Sequence, residues 1–409
     1  MSPRGLTHEG RGCGSEMKLL VACCQSQQDT TEDDSVLQIM KSGIDWNLLL
    51  NLMDFHRVTP LMARKLAAIG PAGVPESVLE QVRYGQKRTA IDNLEQTAEL
   101  LRVLRLLQDE GVKVIPFKGT VLARQLYGDL GLRDSCDIDL IVHQQDILAI
   151  KRILAAVGYV PPTCLSPAQE IALISSACVY EVRNQNRDVD LELHWKDSNH
   201  RSLAFHPDFV WNGLQKISFG GMQIETLSSE ILLLLLCAHG TKHCWRRLRY
   251  VCDIADLIKT SKNLNWTKLL RNADQVGARR MVLTGLSLAH DLLEAPVPDE
   301  ILGSIRASRP VQRIATESSI KIIQNSRKEP GYLSICRFSL RSLDSWRGRI
   351  RYLAMALRPG VRDFETARLP RWLFSLYPCI RFLRLMRHLT SHAERAPARS
   401  ERFQFQVTQ

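Results

Sequence analysis

The chain has eleven cysteines but no Cys-x-x-Cys pair, so neither a zinc cluster nor a disulfide framework is expected, and a reducing, cytoplasmic location suits it. It also lacks long apolar runs. The longest, Ile231 to Ala238, covers eight residues, whereas a membrane-spanning helix needs about 20. No transmembrane segment is therefore expected. Leu20-Val21-Ala22-Cys23 has the look of a lipoprotein cleavage box, but the apolar stretch after Met17 is too short for a signal peptide, and a helix start fits better. Aromatic residues make up only 6%, and they are not interleaved with basic residues through the middle of the chain. A stacking platform for RNA is thus not favoured as a partner site.

Lysine is missing from the C-terminal segment. Residues 337–409 hold fifteen arginines, no lysine and five acids, and so carry nearly all of the net charge of +11. Such a segment suits phosphate-bearing or acidic partners and admits peripheral membrane contact; the other reading is a solvated helix face. Within it, Leu376 to Met386 sets Ile380, Leu383 and Leu385 among Arg381, Arg384 and Arg387. This is an amphipathic helix that either rests on a membrane surface or an acidic partner, or packs on the core with its arginines outward. Its apolar spacing favours packing.

What is present is ample core material, 45% hydrophobic residues in a chain of 409, enough for two or three domains. Helical spacing runs through residues 17–110, as in Leu94 to Leu107, with Pro60, Gly70, Pro71 and Pro75 as breakers, and makes 1–107 an N-terminal helical region. Residues 108–225 mix strands and helices. Val112 to Phe117 is β-rich, Thr120 to Tyr127 helical, and Ile138 to Val142 a short strand; a helix from about Asp146 to Val157 ends at Gly158. Cys178 to Arg183 and Val189 to Trp195, joined by Asn184-Gln185-Asn186-Arg187, read as a β-hairpin. From Ser228 helices return, over residues 226–330 as a helical domain closing the cleft and 331–409 as a basic helical segment and tail. The expected fold class is α+β, a mixed sheet with helices flanked by N- and C-terminal helical regions.

Asp137-Ile138-Asp139 opens the Ile138 to Val142 strand, and side chains alternate along a strand, so both carboxylates face one way. Like charges so close repel unless a cation sits between them, which hard divalent ions with oxygen ligands do well. Upstream, Phe117-Lys118-Gly119-Thr120 is a strand entering a turn and a helix, able to offer backbone N–H groups and a hydroxyl to phosphate oxygens. Downstream, Asp190, Glu192 and His194 alternate with apolar residues, so a third carboxylate is available. Arg133 in the intervening loop either forks onto a phosphate or pairs with Asp134 or Asp129, and Ser135 stands beside it. His239 and His243 lie four apart on one helix face. That spacing suits zinc, but there is no HExxH glutamate and no third ligand of matching spacing. Either the two line a cleft, with Lys242 and Asp253 turned toward nucleotide or acceptor, or they form a satisfied buried pair.

The order of these elements resembles the DNA polymerase β-like nucleotidyltransferase superfamily. More narrowly, the chain from about residue 17 to about residue 390 is similar to the bacterial "uncharacterised nucleotidyltransferase" family. The stretches that carry this are Phe117-Lys118-Gly119, Leu126-Tyr127-Gly128-Asp129, Leu132 to Leu140, Gly158-Tyr159, Leu193-His194-Trp195 and His239 to Trp245, with Leu248-Arg249 and Cys252 to Ala255. The resemblance implies a polymerase β-like core and transfer of a nucleoside monophosphate from an NTP to an acceptor, with release of pyrophosphate. Asp137 and Asp139 would hold two Mg²⁺ (or Mn²⁺) ions with Glu192 as the third acid, favoured over Asp190 by its place two before His194. Gly119 and Thr120 would hold the β- and γ-phosphates, with Lys118, Arg133, Ser135 and Lys242 as further nucleotide-binding residues. Two departures stand out: Thr120 replaces the usual Ser or Gly, and about seventeen residues separate Gly119 from Asp137. The acceptor, whether small molecule, sugar phosphate, peptide or protein, has no legible motif. Two further readings are a catalytically weak nucleotide-binding regulator and an RNA-binding, nucleotide-adding protein; three intact acids favour turnover over the former.

Overall fold

The computed structural model describes residues 14–25, 30–69, 73–195, 203, 208–324 and 330–391; Gly70 and Pro71 lie outside them. Among the described residues seven strands form two sheets: β1 (Val114–Pro116), β2 (Asp137–Val142), β3 (Tyr159–Val160), β4 (Val179–Asn184), β5 (Val189–His194), β6 (Leu214–Phe219) and β7 (Met222–Leu227). The first five make a mixed sheet in the order β1-β2-β5-β4-β3, in which only β2 and β5 run parallel. β6 and β7 form a separate antiparallel hairpin, a pair that the sequence reading passed over although Gly220 and Gly221 mark its turn. Thr226 in β7 ties the hairpin to the large sheet by donating to the Pro116 carbonyl at 2.8 Å.

Alternation decides which face of the sheet is buried. Ile138, Leu140, Leu191, Leu193, Tyr180 and Val182 enter one apolar cluster, while Asp137, Asp139, Glu192, His194 and Glu181 lie at the intervening positions and so on the other face. The chain belongs to the α+β class, with helices before and after the mixed sheet. Helices from both ends, from Met17 to Val82 and again from Ile231 to Leu343, contribute to a second large cluster that also includes Ile115, Phe117 and Ile141.

One helix, Glu76–Asp109, reaches both clusters. Pro75 starts it and Glu76 complements its N-terminal dipole; Val78, Leu79 and Val82 pack in the second cluster, Leu100, Val103, Leu104 and Leu107 in the first. Between them, buried Asn93 donates to the Leu130 and Arg133 carbonyls, and Gln96 to that of Ser135 at 3.2 Å. The loop that leads into Asp137 is thereby held by side chains from the middle of a rigid helix.

The helix expected from Asp146 to Val157 spans Ile147–Ala155, preceded by a 3-10 turn at Gln144–Asp146. Gly158 follows with φ of 92°, the conformation that ends such helices at little cost. Near the C-terminus the helix Tyr377–Ser391 packs on the core through Tyr377 and Ile380 and leaves Arg387 exposed, as expected, but two of its arginines correct the expectation. Arg381 and Arg384 turn inward, because Asp363 is fully buried and requires cationic partners: Arg384 Nε donates to it at 2.8 Å and Arg381 lies 3.7 Å away. Phe382, Leu383 and Met386 are left exposed instead.

Candidate active site

Gly119 sets the geometry. It begins the helix Gly119–Tyr127 with φ of 55°, and a Cβ there would fall 3.1 Å from the Asp137 carbonyl oxygen. A side chain would be strained by both backbone and contact. The helix N-terminus, which no side chain caps, thus sits against the start of β2. Arg133 secures this arrangement. Its guanidinium forks onto Asp253 at 2.9 and 3.0 Å and also donates to the Gly119 carbonyl at 3.2 Å. The partner of Arg133 is therefore Asp253, in the helix Leu248–Thr260, rather than Asp134 or Asp129. Asp134 pairs with Arg57, and Asp129 caps the backbone of Gly131 at 2.8 Å. Asp253 itself is buried under this pair instead of turning toward a ligand. Asp253→Ala would leave the Arg133 charge buried without its partner, and is expected to destabilise the protein by about 3–5 kcal/mol in urea unfolding; an unchanged midpoint would contradict this.

Register aligns the acids. In the parallel ladder Asp137 stands beside Asp190 and Asp139 beside Glu192, and Glu181 on β4 stands beside Glu192. Asp139, Glu192 and Glu181 therefore form a row across three strands. His194 Nε2 lies 2.8 Å from Asp139 Oδ1 and 3.2 Å from Glu192 Oε2. One ligand atom from each of Asp139, Glu192 and His194 lies within 4.8 Å of the others, so this group could hold a metal ion. Lys118 Nζ reaches the same Asp139 oxygen at 3.2 Å. Asp190 instead pairs with Arg183 at 3.0 Å and is half-exposed.

Electrostatics separates the two aspartates. Burial, then the charges of Asp139 and Glu192, push Asp137 up to about 6. Burial also opposes ionisation of Asp139, but Lys118 and the hydrogen bond from His194 outweigh it and hold its carboxyl well below the usual range. Burial likewise disfavours charge on Lys118 and His194, yet the carboxylates raise both. Glu181 is driven up to about 7 by burial and by Glu192 and Asp190.

A cationic rim faces these acids. Lys242, the last residue of the helix Ser229–Lys242, acts on Glu181, and Arg249 acts on Asp137. His243 stacks on Tyr250 and His239 meets the same ring edge-on, with ring centroids 5.3 Å apart in each case. Burial and the nearby Lys118, Lys242 and Arg249 keep both imidazoles neutral. The chain reverses sharply after this helix: Cys244 and Trp245 both take left-handed conformations, and Trp245 is fully buried against Gly240, where a Cβ would meet its ring at 2.4 Å. That explains the small residue within His239 to Trp245 and turns Lys242 and Arg249 to the same side.

Of the residues singled out in the sequence, the structure brings together Lys118, Gly119, Asp137, Asp139 and Glu192. Thr120 is buried in the first turn of its helix; Ser135 is buried beside Arg133, its hydroxyl without a protein partner. His194, Glu181 and Arg249 were not singled out as site residues. His194 was legible in the strand alternation, whereas Glu181 and Arg249 depend on pairing and helix packing that no local pattern reports.

No curated protein and no solved structure matches the chain. The family model described as "uncharacterised nucleotidyltransferase" matches residues 42–294, more than half of the chain and all of the elements that build this site, and the protein belongs to that family.

Proposed function

We propose that the protein transfers a nucleoside monophosphate from an NTP to a hydroxyl or phosphate acceptor, releasing pyrophosphate, in the bacterial cytoplasm. The observation that carries this is the row of Asp139 and Glu192 with His194, set beside Lys118 and the Gly119 turn in a chain of this family. The donors fit a divalent ion. They are carboxylate oxygens and an imidazole nitrogen; a cation there would relieve the repulsion that Asp139 and Glu192 impose on Asp137, and the imidazole favours Mn²⁺ beside Mg²⁺. Asp137, Asp139 and Glu192, with His194 beside them, would hold one such ion or two; bound, the metal would supply charge neutralisation for the triphosphate and acidify the acceptor hydroxyl.

The other residues act around it. Backbone N–H groups at Gly119 and Thr120 bind phosphate oxygens at the uncapped helix start. Lys118 shifts from Asp139 to the triphosphate. Arg133, buried and engaged with Asp253 and Gly119 through three N–H donors, positions this turn instead of binding nucleotide itself. Ser135 offers its unpaired hydroxyl, and Lys242 with Arg249 draws an anionic group toward Glu181 and Asp137. The test incubates purified protein with each radiolabelled NTP, Mg²⁺ or Mn²⁺ and a host extract. Label should move into one fraction with release of pyrophosphate, and not with Asp139→Asn; no transfer with any NTP under either metal would refute the activity.

A further inference from the structure

Two C-terminal helices present large apolar side chains to solvent. On the helix Trp346–Ala356 and the residue that follows it, Trp346, Ile350, Leu353 and Leu357 are 64%, 56%, 51% and 40% exposed. Their spacing of four, three and four places them along one side, and the buried Gly348 and Met355 lie on the opposite side. Arg347, Arg349, Arg351 and Arg358 are exposed around this stripe, with no acid from Trp346 to Arg358. The second helix, Tyr377–Ser391, packs inward through Tyr377 and Ile380 but also exposes apolar side chains: Phe382, Leu383 and Met386 point outward while Arg381 and Arg384 serve Asp363. Arg381 also donates to the Ala356 carbonyl at 3.3 Å, joining the two helices. Trp372, on the 3-10 turn between them, is 78% exposed.

We infer that these helices dock the protein on an anionic lipid bilayer. Large apolar side chains grouped at a surface mark a binding face, because leaving them in water is unfavourable. A bilayer interface supplies both halves of what this face presents: hydrocarbon for the Trp, Ile, Leu and Phe side chains, and phosphate headgroups for the guanidinium groups beside them. Exposed Trp side chains suit the headgroup boundary. The charge decides between occupants. In a contact between two copies the same patch meets itself, and it would bring together two segments that each hold fifteen arginines against five acids. Anionic lipid removes that repulsion, and no helix of the described residues is long and apolar enough to cross the membrane, so the contact is peripheral. The inference is independent of the catalytic assignment.

The test is co-sedimentation of the full chain with vesicles of phosphatidylglycerol and phosphatidylcholine, or of phosphatidylcholine alone. Wild type should bind the mixed vesicles, less as salt is raised, and the neutral ones at least about tenfold more weakly. The double variant Ile350→Gln/Leu353→Gln should lose about tenfold in partitioning, and so should Arg347→Gln/Arg358→Gln. All four side chains are exposed, so the thermal transition should hold; having two separate pairs keeps the test decisive should one fail to fold. Absence of binding to mixed vesicles, equal binding to neutral ones, or wild-type binding by both variants would overturn the inference. So would a concentration-dependent dimer in sedimentation velocity that Ile350→Gln/Leu353→Gln abolishes, because the face would then belong to a second copy.

Discussion

Asp139→Asn is expected to remove nucleotidyl transfer by several orders of magnitude and to weaken the fold, whereas Asp137→Asn should lose the activity and gain stability. Both substitutions keep the side-chain shape and delete one charge from the proposed metal site, and phosphoryl transfer relies on positioning and charge stabilisation. Their effects on folding diverge because their surroundings do. Asp139 is the shared partner of Lys118 and His194, so its loss leaves the buried Lys118 ammonium short of a counter-charge and the His194 imidazole short of a hydrogen-bond partner, at a cost of about 3–5 kcal/mol. Asp137 is the strained member of the pair. In the folded protein it keeps its proton up to about pH 6, against 3.8 for an ordinary aspartate. Ionising it therefore penalises the native state increasingly from about pH 4 to 6, and by a constant amount above that. At about 1.4 kcal/mol per unit, the limit is about 3 kcal/mol. In chelator, Asp137→Asn should raise the urea midpoint at pH 7.5, and the gain should vanish near pH 4. Asp139→Asn should lower the midpoint at pH 7.5. Shifts of the same sign for the two variants would contradict this division of charge.

The second large effect separates the rival third acids. Glu192→Gln is expected to cost at least about a hundredfold in turnover, in line with the loss of one well-placed charge-stabilising group, while Asp190→Asn should stay within severalfold of wild type. Both lie on the same face of β5, and sequence alternation cannot rank them. The ladder register can: Glu192 stands beside Asp139 and reaches His194, whereas Asp190 is half-exposed and paired with Arg183. Steady-state rates for the two variants under saturating Mn²⁺ decide it. A damaging Asp190→Asn with a mild Glu192→Gln would move the third position and leave Asp137 and Asp139 in place.

Local rules account for the parts of this molecule that were legible. Period-two alternation in Asp137 to Val142 and Val189 to His194 set out one apolar and one ionisable face, and the structure buries the apolar face in a cluster. Turn chemistry located the Gly119 turn and the helix end at Gly158. What stayed hidden depends on contacts distant in sequence. Asp253 lies 120 residues from Arg133, and Glu181 joins the acid row only once β4 pairs with β5. The helix Tyr377–Ser391 shows a further limit. Its periodicity was plain and Tyr377 and Ile380 do pack inward, but the buried carboxylate of Asp363 also draws Arg381 and Arg384 in and leaves Leu383 exposed, which a spacing rule that counts only apolar side chains does not report.

The central claim is that the carboxylate row binds NTP through a divalent ion. Isothermal titration calorimetry of the full chain with a nonhydrolysable NTP, in excess Mn²⁺ and again in excess chelator, tests this without knowledge of the acceptor. The row of acids repels a bare triphosphate, so affinity should rise by about a hundredfold or more with metal in wild type, and Asp139→Asn should lose that gain. Equal affinity with and without metal, or full metal dependence retained by Asp139→Asn, would contradict the account.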